Sequence, residues 1–231
     1  MSDQELARLA EAGSRLLLQP PDARMLAALA PLTHAPLDLR QAQQDFYDFL
    51  CTLQSGCFLP PYAHVLTQAE ETEEFWHFPP ARYDGGDALL PWYDAAGFNP
   101  LELQAAPMLT TSNRPLDHVG VLLAFLALLL DASKDSEVDR QVLADFITEH
   151  IQPWADVFAH LLTQAGSAYI SLVGEALGDF FAALRTTHPP HAIAENRNGK
   201  PRLIPIRPAM SMPVANSPAG AVEHYPGVGL R

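Results

Sequence analysis

Residues 114–130 read RPLDHVGVLLAFLALLL, and residues 149–162 read EHIQPWADVFAHLL. The first stretch opens on Pro115, Asp117 and His118 and then runs apolar over 119–130, twelve residues including Gly120. That is long for a strand and short of the roughly 20 apolar residues a bilayer span needs, so it predicts a helix buried on all sides. In the second stretch Trp154, Val157, Phe158, Leu161 and Leu162 recur at three- and four-residue steps. Pro153 stands just ahead of them and suits the first turn of a new helix, where its missing N–H leaves no bond unmade.

The same period extends outward from these two stretches. Leu39, Phe46, Phe49, Leu50 and Leu53 form one stripe, and Val138, Val142 and Phe146 form another over 137–150. Ile170, Val173, Leu177, Phe180, Phe181 and Leu184 form a third over 168–184, which stops before Thr186-Thr187-His188-Pro189-Pro190. Breakers at Pro20-Pro21, Pro60-Pro61, Pro79-Pro80, Gly85-Gly86, Pro91 and Pro100 separate the earlier helices. Strand alternation is nearly absent and no repeat is visible, so the sequence predicts an all-α, single-domain helical bundle.

Composition bounds the function. The 231 residues are 48 % apolar, enough for a core without disulfide or metal staples. With 27 acidic against 14 basic side chains the formal charge is −13, which repels phosphate and argues against nucleic acid as a partner. Cys51 and Cys57, six apart, fit neither a CxxC redox pair nor a zinc knuckle, so a reducing compartment is expected. The acidic, amphipathic N-terminus, MSDQELARLAEAGSRLLLQPPD, has no basic segment of an export leader, which predicts a cytoplasmic protein with no stable membrane insertion.

Charge divides the chain near residue 190. Residues 1–190 hold 25 acidic and 9 basic side chains, net −16, whereas 191–231 hold 2 acidic and 5 basic, net +3. Six prolines (201, 205, 208, 213, 218 and 226) exclude regular helix from most of the second part. The expected organisation is a helical domain over 1–190 and an extended or disordered, proline-rich basic tail over 191–231, with apolar Leu203, Ile204 and Ile206 able to lie back on the acidic body.

Motifs for catalysis are scarce: no glycine-rich phosphate loop, no HExxH and no GxSxG are present. Asp117-His118 is the one adjacent carboxylate and imidazole. Acid–base work by that pair requires the two side chains to converge, and helix neighbours diverge, so the simpler reading is that Asp117 caps the helix beginning at His118. Glu70, Glu71, Glu73 and Glu74 adjoin Phe75, Trp76 and Phe78, an anionic rim beside an aromatic floor that suits a basic peptide. If helical, that run would carry like charges three and four apart. His34, His64, His77, His160, His188, His191 and His224 show no ligand spacing, and no metal site is expected.

Four segments in order, FLPPYAHV at 58–65, YDAAGF at 93–98, and the two stretches quoted first, resemble the TorD/DmsD/NarJ-like family of redox-enzyme maturation chaperones. The specific features are Pro115-x-Asp117-His118 opening an apolar helix and His150-x-x-Pro153-Trp154 some thirty residues later; the likeness spans about residues 45–185. Arg114 stands where the family usually has an acidic residue. The resemblance implies an all-helical, non-catalytic cytoplasmic chaperone that binds the N-terminal signal region of a molybdenum-cofactor oxidoreductase before twin-arginine export. The cofactor would belong to the client, with none resident. It also leaves open an assembly adaptor for a non-exported molybdoenzyme and a homodimer by helix exchange. A binding groove is expected from Tyr62, Trp76, Trp92, Gly97, Pro115, Asp117 and His118, with Pro60, Pro61, His150, Pro153 and Trp154 as structural supports behind it.

Overall fold

The computed structural model describes residues 1–33, 36–73, 75–109, 116–133 and 136–190, with only the main chain at 138. Pro115, Glu74, His34, His191, His224 and the whole tail 191–231, each assigned a part above, lie outside the described residues. In chain order the elements are α1 (Asp3–Leu18), α2 (Ala23–Leu29), α3 (Leu39–Leu50), α4 (Ala63–Leu66), β1 (Glu70–Glu71), β2 (Trp76–His77), α5 (Leu90–Ala96), α6 (Val119–Ala132), α7 (Glu137–Phe146), α8 (Gln152–Thr163) and α9 (Ala168–Thr187).

Side-chain caps set most of the helix starts. Ser2 and Glu5 exchange hydrogen bonds as a capping box at α1, and Asp22, Asp38, Ser136 and Ser167 accept from backbone amides at the starts of α2, α3, α7 and α9. Each such cap contributes about 1 kcal/mol. α9 runs to Thr187, three residues past the last apolar position of its stripe. Thr186 and Thr187 donate their hydroxyls to Ala182 and Ala183 carbonyls, and Pro189-Pro190 then ends the helix.

α6 is the buried axis of the bundle, with Val119, Val121, Leu122, Leu123, Phe125, Leu126 and Leu130 wholly inaccessible to solvent. α1 lies along it and also touches α9, while α7 packs on α6 and α8 on α9. Gly13 marks the three-helix junction: a Cβ there would meet Leu123 of α6 and Leu177 of α9, both at 3.0 Å. Gly174 marks the closest approach of α8 and α9, because its Cβ would lie 2.5 Å from the Thr163 nitrogen and 2.8 Å from Leu162. Alanine favours helix over glycine by about 1 kcal/mol, but here it must displace main chain, and overpacking costs about 1–3 kcal/mol. Gly174→Ala is therefore expected to lower the melting temperature by several degrees; a raised melting temperature would show that the two helices move apart freely.

Two departures from the sequence reading bear on function. Glu70 and Glu71 are not helical: β1 and β2 form a short antiparallel hairpin in which Glu70 faces His77 and Glu71 faces Trp76. Also, Pro153 stands in the first turn of a new helix as expected, but the turn ahead of it is irregular. Residues Ile147–Ile151 form a π turn, with Gln152 N–H donating to the Ile147 carbonyl, and Pro153 follows in the first turn of α8. Proline has no amide to continue the ladder, and the indole Nε1 of Trp154 donates to the His150 carbonyl inside the interrupted turn.

At the far end of α6, Ser133 and His188, the C-caps of α6 and α9, both reach Asp3. Ser133 Oγ donates to one carboxylate oxygen at 2.9 Å, and His188 Nε2 meets the other at 2.9 Å.

Candidate functional site at the start of the central helix

The Pro60-Pro61 segment, buried at both prolines, delivers the chain to the start of α6. Val119 N–H donates to the Pro61 carbonyl, and Tyr62 and His118 form an isolated antiparallel bridge. His118 lies at the N-cap, 1 % exposed, and its Nδ1 accepts from Gly120 N–H at 3.1 Å. The Tyr62 ring stands edge-on to it, with centroids 5.5 Å apart. The cap of α6 is therefore His118, not Asp117 as the sequence suggested.

Asp117 instead turns across to α4. Its Oδ2 accepts from His64 N–H at 2.6 Å and meets His64 Nδ1 at 2.7 Å, while its carbonyl accepts from Ala63 N–H. An aspartate 53 residues away in sequence thus takes up first-turn amides of the four-residue α4. His64 is fixed on its other side, because Nε2 accepts from Arg82 N–H at 3.0 Å. That assigns the Nδ1 proton to the carboxylate and leaves both ring nitrogens engaged. Asp117 and His118 accordingly do not form an acid–base pair: the carboxylate serves His64 and the imidazole serves Gly120.

Above this arrangement opens a cleft of about 170 Å³, lined among others by Ala63, His64, Asp117, Glu149, His150 and Trp154. Asp117 is 3 % exposed, and its Oδ1 has no hydrogen-bond partner among the described residues. His150 Nε2 is likewise buried without a hydrogen bond, its nearest acid, Glu149 Oε2, standing 3.7 Å away. A buried carboxylate oxygen without a hydrogen bond costs stability. Gly86 allows the overlying loop to come this close: with φ +86°, a Cβ there would lie 2.5 Å from the Asp117 nitrogen.

His150 sits between Trp92 and Phe146, with ring centroids at 5.3 and 5.2 Å. Burial among these rings lowers its pKa to about 4, favouring the neutral imidazole. Trp92 is 4 % exposed and supports the cleft floor through His150. His150 and Trp154, placed behind the groove by the sequence reading, line the same cleft as Asp117.

The other expected groove residues are not all gathered here. Gly97 closes α5 in a left-handed conformation (φ 63°), exposed and outside the cleft lining. Trp76 lies half-buried on β2 with its ring 6.3 Å from that of His160, beside Phe75, which is 60 % exposed. His64, the partner of Asp117, shows no ligand spacing in the sequence. The available signal was its place in FLPPYAHV, one turn after the two prolines.

Among the described residues no helix is long and apolar enough to cross a membrane, and no group of three or more His, Cys, Asp or Glu side chains is arranged to hold a metal ion. No curated protein matches the chain. The family model described as nitrate reductase delta subunit matches residues 17–160, from the last turn of α1 into α8, and so contains every residue named in the cleft lining. Covering well over half the sequence and the whole Asp117–His64–His150 arrangement, that match establishes that the chain belongs to the nitrate reductase delta subunit family, redox-enzyme maturation chaperones that assist molybdoenzyme assembly.

Proposed function

We infer that the cleft receives a cationic side chain from the N-terminal signal region of a molybdenum-cofactor oxidoreductase precursor, in the cytoplasm, while the cofactor is inserted and before twin-arginine export. The observation that carries this reading is buried Asp117, a lining residue of the cleft whose Oδ1 has no hydrogen-bond partner among the described residues. A guanidinium supplies donors in a fixed fork, which suits such an acceptor better than water or a neutral side chain does. The cleft volume suits one head group, not the apolar stretch of a signal. The exposed Phe75 and half-buried Trp76 on the acidic hairpin offer surface for that stretch. The molybdenum cofactor stays with the client, and the chaperone's part is to hold and shield.

Asp117→Asn tests the reading directly. The amide oxygen can keep the two His64 contacts, while the amide NH2 replaces Oδ1 and turns the acceptor into a donor. A charge-assisted hydrogen bond is worth about 1.5–3 kcal/mol, so the variant should bind a synthetic peptide of paired arginines followed by an apolar stretch at least tenfold more weakly by calorimetry. Its melting temperature should stay within a few degrees of the parent's. Raising salt should weaken the parent's binding, as for any exposed encounter between charges. Unchanged affinity in Asp117→Asn, or no binding of the peptide to the parent, overturns the assignment. Equal binding of a peptide with the arginines replaced by glutamine would favour an adaptor for a non-exported client.

A further inference from the structure

The cleft and the point where the tail departs lie at opposite ends of α6. Asp117 and His118 stand at its start, whereas His188 is tied through Asp3 to Ser133 at its end. A fourteen-residue helix is about 21 Å long. Beyond His188 the sequence continues to 200–207, KPRLIPIR, in which Lys200, Arg202 and Arg207 flank Leu203, Ile204 and Ile206. Fourteen residues from His188 to Arg202 can span up to about 46 Å, twice the length of α6.

We propose that residues 200–207 of the chain's own tail dock at the cleft, setting a basic side chain against Asp117 and occupying the site until a client displaces it. Charge complementarity favours this occupant: the tail is net +3 and the body net −16, with Glu149 on the cleft wall and Glu70, Glu71 and Glu73 exposed on the hairpin. Tethering adds to it, since a segment linked within reach faces its site at roughly millimolar effective concentration, so even a weak contact is populated. The segment also has the chemistry expected of a client, cation beside apolar side chains, and would act as a stand-in for it. The proposal rests on the cleft being a cation site, as in the preceding reading, but needs no client.

Cys57 provides the probe. It is exposed, and it precedes Ala63 by six residues, at most about 20 Å from the cleft wall. Buried Cys51 competes poorly for a thiol label, because burial pushes its thiol up to about 11. In the full chain carrying a nitroxide on Cys57, the amide signals of 202–204, 206 and 207 should lose at least half their intensity relative to the reduced label. Those of 220–231 should lose far less. Lys200→Glu with Arg202→Glu and Arg207→Glu should restore them, with an unchanged melting temperature showing that the body stays folded. Uniform loss along the tail, or loss unaffected by charge reversal, overturns the proposal. Loss in an isotope-labelled chain mixed with a separate nitroxide-bearing chain would assign the site to a second copy's tail, and also overturns it. If the tail signals respond as expected while the arginine-paired peptide fails to bind, the client reading falls and this one stands.

Discussion

Phe125→Ala is expected to lower the unfolding free energy by about 4 kcal/mol, the usual range for emptying a fully buried phenylalanine site being about 3–5. Phe125 is wholly inaccessible at the middle of α6 and meets Tyr93, Phe98 and Phe146 with ring centroids 4.9, 5.2 and 4.9 Å away. Three ring contacts are lost together, and the flanking helices hold the walls of the void apart. For a domain stable by about 5–15 kcal/mol this is a large fraction, and should appear as a fall of roughly 10 °C in melting temperature. The damage should also reach the cleft, because Phe146 is the ring that packs on His150. A loss below about 1 kcal/mol in urea denaturation would mean that the cluster refills the space.

The second large effect is one of pH. His150 titrates near 4 when folded, against about 6.5 when unfolded, because burial disfavours its charged form. Between those values the unfolded chain binds more protons than the folded one, so stability rises with pH through the window and is lost as pH falls from about 6.5 to about 4. The full difference amounts to about 3 kcal/mol. Carboxylates protonate over part of the same range, so the informative quantity is the difference between parent and His150→Phe, measured by urea denaturation at pH 7, 5.5 and 4.5. The variant should lose less stability than the parent on acidification. Parallel curves would show that the imidazole is already solvated in the folded protein.

The helices were legible because their signals are local and periodic. The apolar run of α6 requires burial all round and the stripe of α9 requires it on one face. The hairpin was not legible: two-residue strands carry too few positions for alternation to register, and its residues Glu70, Glu71 and Thr72 have no strand pattern of their own. The site fared similarly. Asp117 stood out as a member of Pro-x-Asp-His, yet its partner, His64, lies 53 residues earlier and only the folded chain brings them together. A capping role for Asp117 was a sound local inference that a non-local one displaced. His118, its neighbour, could take over the cap because Nδ1 reaches Gly120 N–H, which a carboxylate already committed to α4 could not.

The π turn at Ile147–Ile151 has a consequence for how this sequence can change. A π turn amounts to one residue inserted into a helix, and each residue of an α-helix rotates its successors by about 100°. Removing any one of those five residues would restore an ordinary helix and swing α8 by that angle relative to α7. The stripe of Trp154, Phe158, Leu161 and Leu162 would leave α9, and Trp154 would leave the cleft. Spacing between His150 and the preceding aromatic Phe146 is thus intolerant of single-residue insertion or deletion, even where every side chain of the segment could be exchanged for a similar one.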